Sequence, residues 1–203
     1  LVGAPAAGIV FTSGGTEANN LAIRGVSRRR VLVSAVEHPS VLRTGADQEI
    51  IPVDGEGGID LQALSSLLGD GAGPALVSVM LANNETGVIQ PVMAAAEIAH
   101  RHGALVHCDA VQAAGKIPVD MMALGLDYLS LSAHKICGPA GTGALVVASG
   151  APLAGVAFGG GQERGRRAGT ENLPGIAGFG VAARLARTGL EEFSGLARLR
   201  DGL

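Results

Sequence analysis

Apolar positions along the chain fall into two alternating patterns. Short, nearly continuous apolar runs at 8–12, 31–36, 75–82, 104–108, 127–131 and 143–148 have the length of buried strands, and 50–53 is a shorter run of the same kind. Between them apolar residues recur at helical spacing. Ala18, Leu21, Ala22 and Gly25 share one face within 16–27. Leu61, Leu64 and Leu68 share another after Asp60, a suitable cap. Val92, Ala95, Ala96 and Ala99 do so within 91–102, with Pro91 where a helix start tolerates proline. A further helix is predicted over 174–187, and Leu190, Phe193 and Ala197 keep helical spacing almost to Leu203.

Strand–helix alternation with uninterrupted apolar strands predicts an α/β fold of three layers, α/β/α, with a mostly parallel sheet covered on both faces. One strand should differ. Lys135 to Gly143 is too short for a crossover, which needs roughly a dozen residues or more, so the 143–148 strand should run antiparallel to its predecessor. A chain of 203 residues suits one domain, 1–203. It starts at Leu1 almost on a strand and stops without a clear helix-stop signal, so both ends of a longer parent are expected to be missing.

Composition narrows the function. Aromatics are only 2%, so Val, Leu, Ile and Ala must fill the core, and the 32 glycines cluster without a period, as in turns and ligand-hugging loops. A net charge of −3 supplies no reason to expect nucleic acid. Arg28-Arg29-Arg30 reads as a solvated helix end, and Arg164, Arg166 and Arg167 form a looser cluster. No apolar run reaches the about 20 residues that span a bilayer, and no signal peptide is visible. Cys108 and Cys137 are too few for a disulfide scaffold, so a cytoplasmic location is expected.

The unusual polar residues follow strand ends. Gly14-Gly15-Thr16 follows the first strand, Glu37-His38 the second, Asn83-Asn84-Glu85 the 75–82 run, Asp109 and Gln112 the 104–108 run, and Ser132, His134 and Lys135 the 127–131 run. In a parallel sheet these positions gather along one edge, where open α/β folds bind ligands. Gly14-Gly15-Thr16 opens a helix whose free N–H groups suit a phosphate, although it is equally an ordinary turn and cap. Asp109 beside apolar residues needs a partner such as a pyridinium N–H, or serves as a helix cap. His38 reads alternatively as a core histidine or a helix-start residue, and Asn84 as a turn former. Only two lysines occur. Lys116 lacks polar company and reads as a surface residue, whereas Lys135 lies in the edge cluster, where a desolvated amine could form a Schiff base with an aldehyde cofactor.

Taken in order, Phe11–Asn20 (FTSGGTEANN), Glu37-His38-Pro39, Ala82–Gly87 (ANNETG), His107–Gln112 (HCDAVQ), Ser132–Lys135 (SAHK), Gly159–Arg164 (GGGQER) and Arg167–Asn172 (RAGTEN) resemble the cysteine desulfurases of the class V aminotransferase group. The resemblance implies the large domain of a fold type I pyridoxal 5'-phosphate (PLP) enzyme. It implies that Lys135 holds PLP covalently, that Asp109 pairs with the pyridine nitrogen, and that His38 stacks on the ring and assists proton transfer. Asn84 and Gln112 would contact the ring hydroxyl. Gly15, Thr16, Ser132 and His134 would hold the phosphate, and Thr170 would reach the phosphate site of a second subunit in a homodimer.

The implied reaction converts L-cysteine to L-alanine. It leaves a persulfide on the enzyme for a sulfur-acceptor or scaffold protein, in iron–sulfur cluster assembly or tRNA thiolation. The nucleophilic cysteine and the substrate-carboxylate arginine are expected beyond Leu203. Neither Cys108 nor Cys137 matches the mobile-loop position, so the chain alone is expected to bind PLP without completing the cycle. Competing readings are a selenocysteine lyase or another class V aminotransferase, and an inactive fragment. A metal site from His107, Cys108, His134 and Cys137 suffers from side chains that diverge on a strand. For a nucleotide-binding domain, Gly138, Gly141 and Gly143 do not form the dinucleotide fingerprint.

Overall fold

The computed structural model describes residues 1–45, 47–70 and 73–202. In chain order the elements are β1 (Ile9–Thr12), α1 (Gly15–Gly25), β2 (Arg30–Ser34), α2 (Pro39–Leu42), β3 (Gln48–Ile51), α3 (Leu61–Asp70) and β4 (Ala75–Ser78). They continue with α4 (Val92–Arg101), β5 (Leu105–Asp109), β6 (Tyr128–Ser132), β7 (Gly143–Val147), α5 (Leu173–Thr188), α6 (Leu190–Gly195) and α7 (Ala197–Arg200). The strands form one sheet in the order β1-β7-β6-β5-β4-β2-β3.

The inner strands send successive residues into two separate cores, as the two-residue period of a strand requires. Leu32, Val77, Val106, Leu129 and Val146 pack with Leu64 and Leu68 of α3, Ala95 and Ala99 of α4 and Phe179 of α5. Val33, Leu76, Tyr128 and Leu145 pack on the other face with Ala18, Leu21 and Ala22 of α1 and Val41 of α2. These are the three expected layers. The short connection forces β7 antiparallel to β6, with Leu129 opposite Val146 and Ser132 opposite Gly143. β1 then pairs antiparallel with β7, and the remaining neighbours are parallel. β1 and β6 therefore point the same way, and their C-terminal ends flank the start of β7.

Local chemistry explains the boundaries. Asp60 Oδ1 accepts from the backbone N–H groups of Gln62 and Ala63, each at 2.9 Å, and caps α3 as expected. Beyond Ser78 the 75–82 run leaves regular strand geometry, but the Val79 and Leu81 N–H groups still donate to His107 and Asp109 carbonyls of β5. Pro91 stands just outside α4 rather than inside it.

The basic run 28–30 is not a solvated helix end. Arg30 begins β2, and its guanidinium donates to both Glu49 carboxylate oxygens (2.7 and 2.6 Å) and to the Leu67 carbonyl. The looser basic cluster straps the 155–172 loop to the body, through Arg164 to the Ala7 carbonyl and Arg167 to Glu17. On the C-terminal helices Leu185 and Leu199 are 67% and 69% exposed, a source of self-association in isolation. No helix of the described residues is long and apolar enough to cross a membrane.

Candidate active site

The C-terminal ends of β1, β2, β4, β5 and β6 surround a cavity of about 320 Å³. Nine of the ten expected residues line it: Gly15, Thr16, His38, Asn84, Asp109, Gln112, Ser132, His134 and Lys135. The tenth, Thr170, does not. It lies with Phe11, Glu163 and Arg167 around a separate small pocket of about 80 Å³.

The floor and one wall come from α1. Gly15 and Thr16 form its first turn, where unpaired N–H groups and the positive helix end favour an anion. Facing them, Ser132 ends β6 and its Oγ lies 2.9 Å from His134 Nδ1. His134 and Lys135 sit on a 3₁₀ turn, Ala133–Ile136, which ends at Cys137 in the left-handed conformation (φ 61°). Lys135 is exposed to the open cavity rather than desolvated.

Asp109 ends β5 and is buried. Its Oδ1 accepts from the Val111 N–H (2.9 Å), so it caps a turn and not the helix its position also allowed. Its Oδ2 accepts from Asn19 Nδ2 (2.7 Å). Burial holds this carboxyl above the ordinary carboxylate range despite those two bonds. A cationic donor in the cavity would favour its ionised form.

Glu37 lies behind it, buried, with Oε1 accepting from the Met80 N–H. Burial, with the adjoining Asp109 charge adding to it, pushes the Glu37 carboxyl well up. Its Oε2 has no hydrogen-bond partner among the described residues. The Glu37–Met80 bond and the bond from Asn83 Nδ2 to the Val36 carbonyl (3.0 Å) tie the segment carrying His38 to the segment carrying Asn84.

His38 is the N-cap of α2, and its Nδ1 accepts from the Ser40 N–H at 3.1 Å. Asn19 and Ser40 line the cavity too, and the strand-end pattern did not identify them. Asn19 sits inside the apolar stripe of α1, where an asparagine is out of place, and that was the available signal. Lys116 is only half-buried but not without company. Its Nζ donates to the Gln112 carbonyl (2.9 Å) and approaches Gln112 Oε1 (3.4 Å).

Beneath the cavity His107 is fully buried between Ser78 Oγ (2.8 Å) and Ser130 Oγ (2.9 Å), bridging β4, β5 and β6. Both ring nitrogens are thereby engaged, and Cys108 points into the opposite core. Among the described residues no three His, Cys, Asp or Glu side chains gather to hold a metal. Burial, chiefly, keeps Cys108 a thiol, with the charges of Asp109 and Glu37 adding to it.

Burial lowers the His107 pKa to about 3. The unfolded chain takes up that proton near the ordinary value of about 6.5, so it binds protons first as pH falls. The contribution to stability is complete above about pH 6.5 and is lost on acidification toward pH 3. Urea unfolding at pH 7 and pH 5 should show His107→Gln losing on the order of 1–2 kcal/mol less than the parent over that interval. Equal losses would show that His107 titrates normally in the folded protein.

Comparisons with known proteins show what the chain is similar to. The aminotransferase class-V family model matches residues 1–197. Among curated proteins, the chain is 49% identical over 217 residues to a cysteine desulfurase of Cereibacter sphaeroides, covering 100% of this chain and 55% of that protein. It is 43% identical to cysteine desulfurase IscS of Methanosarcina thermophila, covering 96% and 51%. Among solved structures, a NifS-like protein of Rickettsia africae ESF-5 superposes with a TM-score of 0.87 at 39% identity, covering 91% of this chain and 52% of that one. SspA in complex with cysteine superposes with a TM-score of 0.80 at 34% identity, covering 88% and 55%. The chain spans about half the length of the curated relatives it matches.

Proposed function

Because this chain belongs to the aminotransferase class-V family, we propose that residues 1–203 form the PLP-binding large domain of a cysteine desulfurase, a homodimeric cytoplasmic enzyme that passes sulfur from L-cysteine to an acceptor or scaffold protein. The observation that carries this reading is one cavity that unites a lysine amine, a buried carboxylate and an anion cradle at a helix N-terminus. That donor set fits PLP.

Bound PLP would supply an electron sink for the amino acid's α-carbon. Lys135 would hold its aldehyde carbon covalently. Asp109 would keep the ring nitrogen protonated, and the Asn19 and Val111 bonds orient its carboxylate for that task. Gly15, Thr16, Ser132 and His134 would bind the phosphate. Asn84 and Gln112 would meet the ring hydroxyl, with Lys116 restraining Gln112. His38 would cover the ring. Thr170 lies outside the cavity of its own protomer, in keeping with service to a partner's phosphate site. Cys108 is sealed in the core, so it is not the sulfur-accepting thiol of this reading. Relatives named cysteine desulfurase favour that substrate over a selenocysteine lyase or another class-V reaction.

The test is a spectroscopic titration of the purified protein with PLP, followed by L-cysteine. A saturable visible band that changes on adding cysteine is the expected result. Absence of a saturable band sinks the cofactor assignment. A band indifferent to cysteine but responsive to another amino acid moves the protein to a different branch of the family.

A further inference from the structure

Four side chains form an unbroken chain of hydrogen bonds from Asp109 to His38. Asn19 Nδ2 donates to Asp109 Oδ2 at 2.7 Å and to Ser40 Oγ at 2.8 Å. Ser40 Oγ lies 2.7 Å from His38 Nδ1, and the Ser40 backbone N–H donates to the same nitrogen at 3.1 Å. Asn19 and Ser40 are buried, at 1% and 9% exposure. Asn19 Oδ1 has no partner among the described residues.

The donor inventory removes the ambiguity of each link. A backbone N–H can only donate, so His38 Nδ1 must accept. An Asn amide has two hydrogens, and Asn19 uses one on Asp109 and one on Ser40. Turning the amide over would aim its oxygen at the Asp109 carboxylate. Ser40 Oγ therefore accepts from Asn19 and is left to donate its own hydrogen to His38 Nδ1. Two donors converge on Nδ1, so the proton of neutral His38 belongs on Nε2. That nitrogen has no hydrogen-bond partner among the described residues, and the ring lines the cavity.

We propose that Asn19 and Ser40 are positioning residues that lock His38 in its Nε2–H tautomer and tie its ring to the Asp109 carboxylate, so that the cavity meets a hydrogen-bond donor. The proposal rests on the PLP reading for its use and narrows the role of His38. A neutral His38 offers a proton-bearing Nε2 and cannot accept a proton there. To become a cation it must be protonated at Nδ1, where the Ser40 N–H already points. Its work in the cavity is then to donate a hydrogen bond and to stack, with proton removal left to another group.

The test is long-range proton–nitrogen NMR on protein labelled with ¹⁵N-histidine, in mildly alkaline buffer without PLP. His38→Gln assigns the His38 signals among the five histidines. The expected pattern is a protonated Nε2 and a bare Nδ1. Ser40→Ala should lower the Nε2–H to Nδ1–H ratio about three- to tenfold, the worth of one neutral hydrogen bond. Ser40→Thr should restore it. Asn19→Leu should shift the ratio in the same direction, because the Ser40 hydroxyl is no longer committed as a donor. Unchanged His107 signals show in each case that the fold is intact. A proton on Nδ1 in the parent protein, or a ratio indifferent to both Ser40→Ala and Asn19→Leu, overturns the proposal. Adding PLP afterwards separates the two readings. The locked tautomer without a cofactor band sinks the PLP assignment alone.

Discussion

Lys135→Ala should abolish covalent capture of PLP while leaving the protein folded. Borohydride reduction of the parent with PLP, followed by peptide mapping, should place the label on Lys135. In the variant that labelled peptide should vanish and the visible band should fall to the background of free PLP. Weak, salt-sensitive binding should persist, because the proposed phosphate contacts at Gly15, Thr16, Ser132 and His134 do not involve the removed amine. Truncating an exposed side chain on a 3₁₀ turn should change stability by no more than about 0.5 kcal/mol. The one other lysine is a poor substitute. Lys116 is held by the Gln112 carbonyl, and burial, with the Lys135 charge adding to it, lowers its pKa. A lowered pKa does favour the neutral amine, so the mapping must decide between them. An undiminished label on Lys116 in the Lys135→Ala protein would transfer the covalent role to that residue.

Gly143→Ala should damage both the fold and the cavity. Gly143 pairs with Thr12 on one side and Ser132 on the other. A Cβ there would stand 2.5 Å from the carbonyl carbon of Gly14, 2.6 Å from its Cα and 2.8 Å from its oxygen. These are backbone atoms, and no rotamer change relieves the overlap. Either β7 leaves its register or the first turn of α1 moves away from Ser132. Overpacking of this kind costs about 1–3 kcal/mol. Calorimetry should find a lower Tm, and PLP titration should find affinity reduced at least about tenfold. Gly180→Ala supplies the contrast. A Cβ at this position in α5 meets nothing within 4 Å, and alanine should raise helix stability by about 0.5–1 kcal/mol. If Gly143→Ala behaves like Gly180→Ala, the close approach to Gly14 does not constrain the site.

The fold was legible where chain geometry leaves one choice. Seven residues between Lys135 and Gly143 forbid a parallel crossover, so the direction of β7 followed from spacing alone. That β1 would sit outside β7 did not, because no local pattern reports which strands become neighbours across the sheet. The start of α2 was legible only as one reading of His38, and its extent was not, because four residues are too few to show a period. The cavity was legible as residues placed after strand ends, which converge in any open parallel sheet. Asn19 and Ser40 lie on helices instead, and their polarity counts only once α1 and α2 are known to pack together. Arg30 and Lys116 were misjudged for a related reason. Their partners, Glu49 with the Leu67 carbonyl and the Gln112 carbonyl, appear only when separate segments or a turn have formed. Thr170, expected to reach the phosphate site of a second subunit, lies apart from the cavity within one protomer.

The position of β1 at the sheet edge has a temporal consequence. Among the described residues its only strand partner is β7, and Ile9 meets Val146. A ribosome adding about 5–20 residues per second needs roughly 7–27 s to cover that separation. Until then β1 has no ladder to join, and α1 lacks the β6 and β7 surfaces on which it rests. The strands that carry His38, Asn84 and Asp109 are adjacent and can assemble while the chain is still being made. The anion cradle, built from the first turn of α1 and the end of β6, closes only after β7 has emerged. On the proposed reading, cofactor capture therefore waits until β7 has emerged, and β1 and α1 settle only after the strands that follow them in sequence.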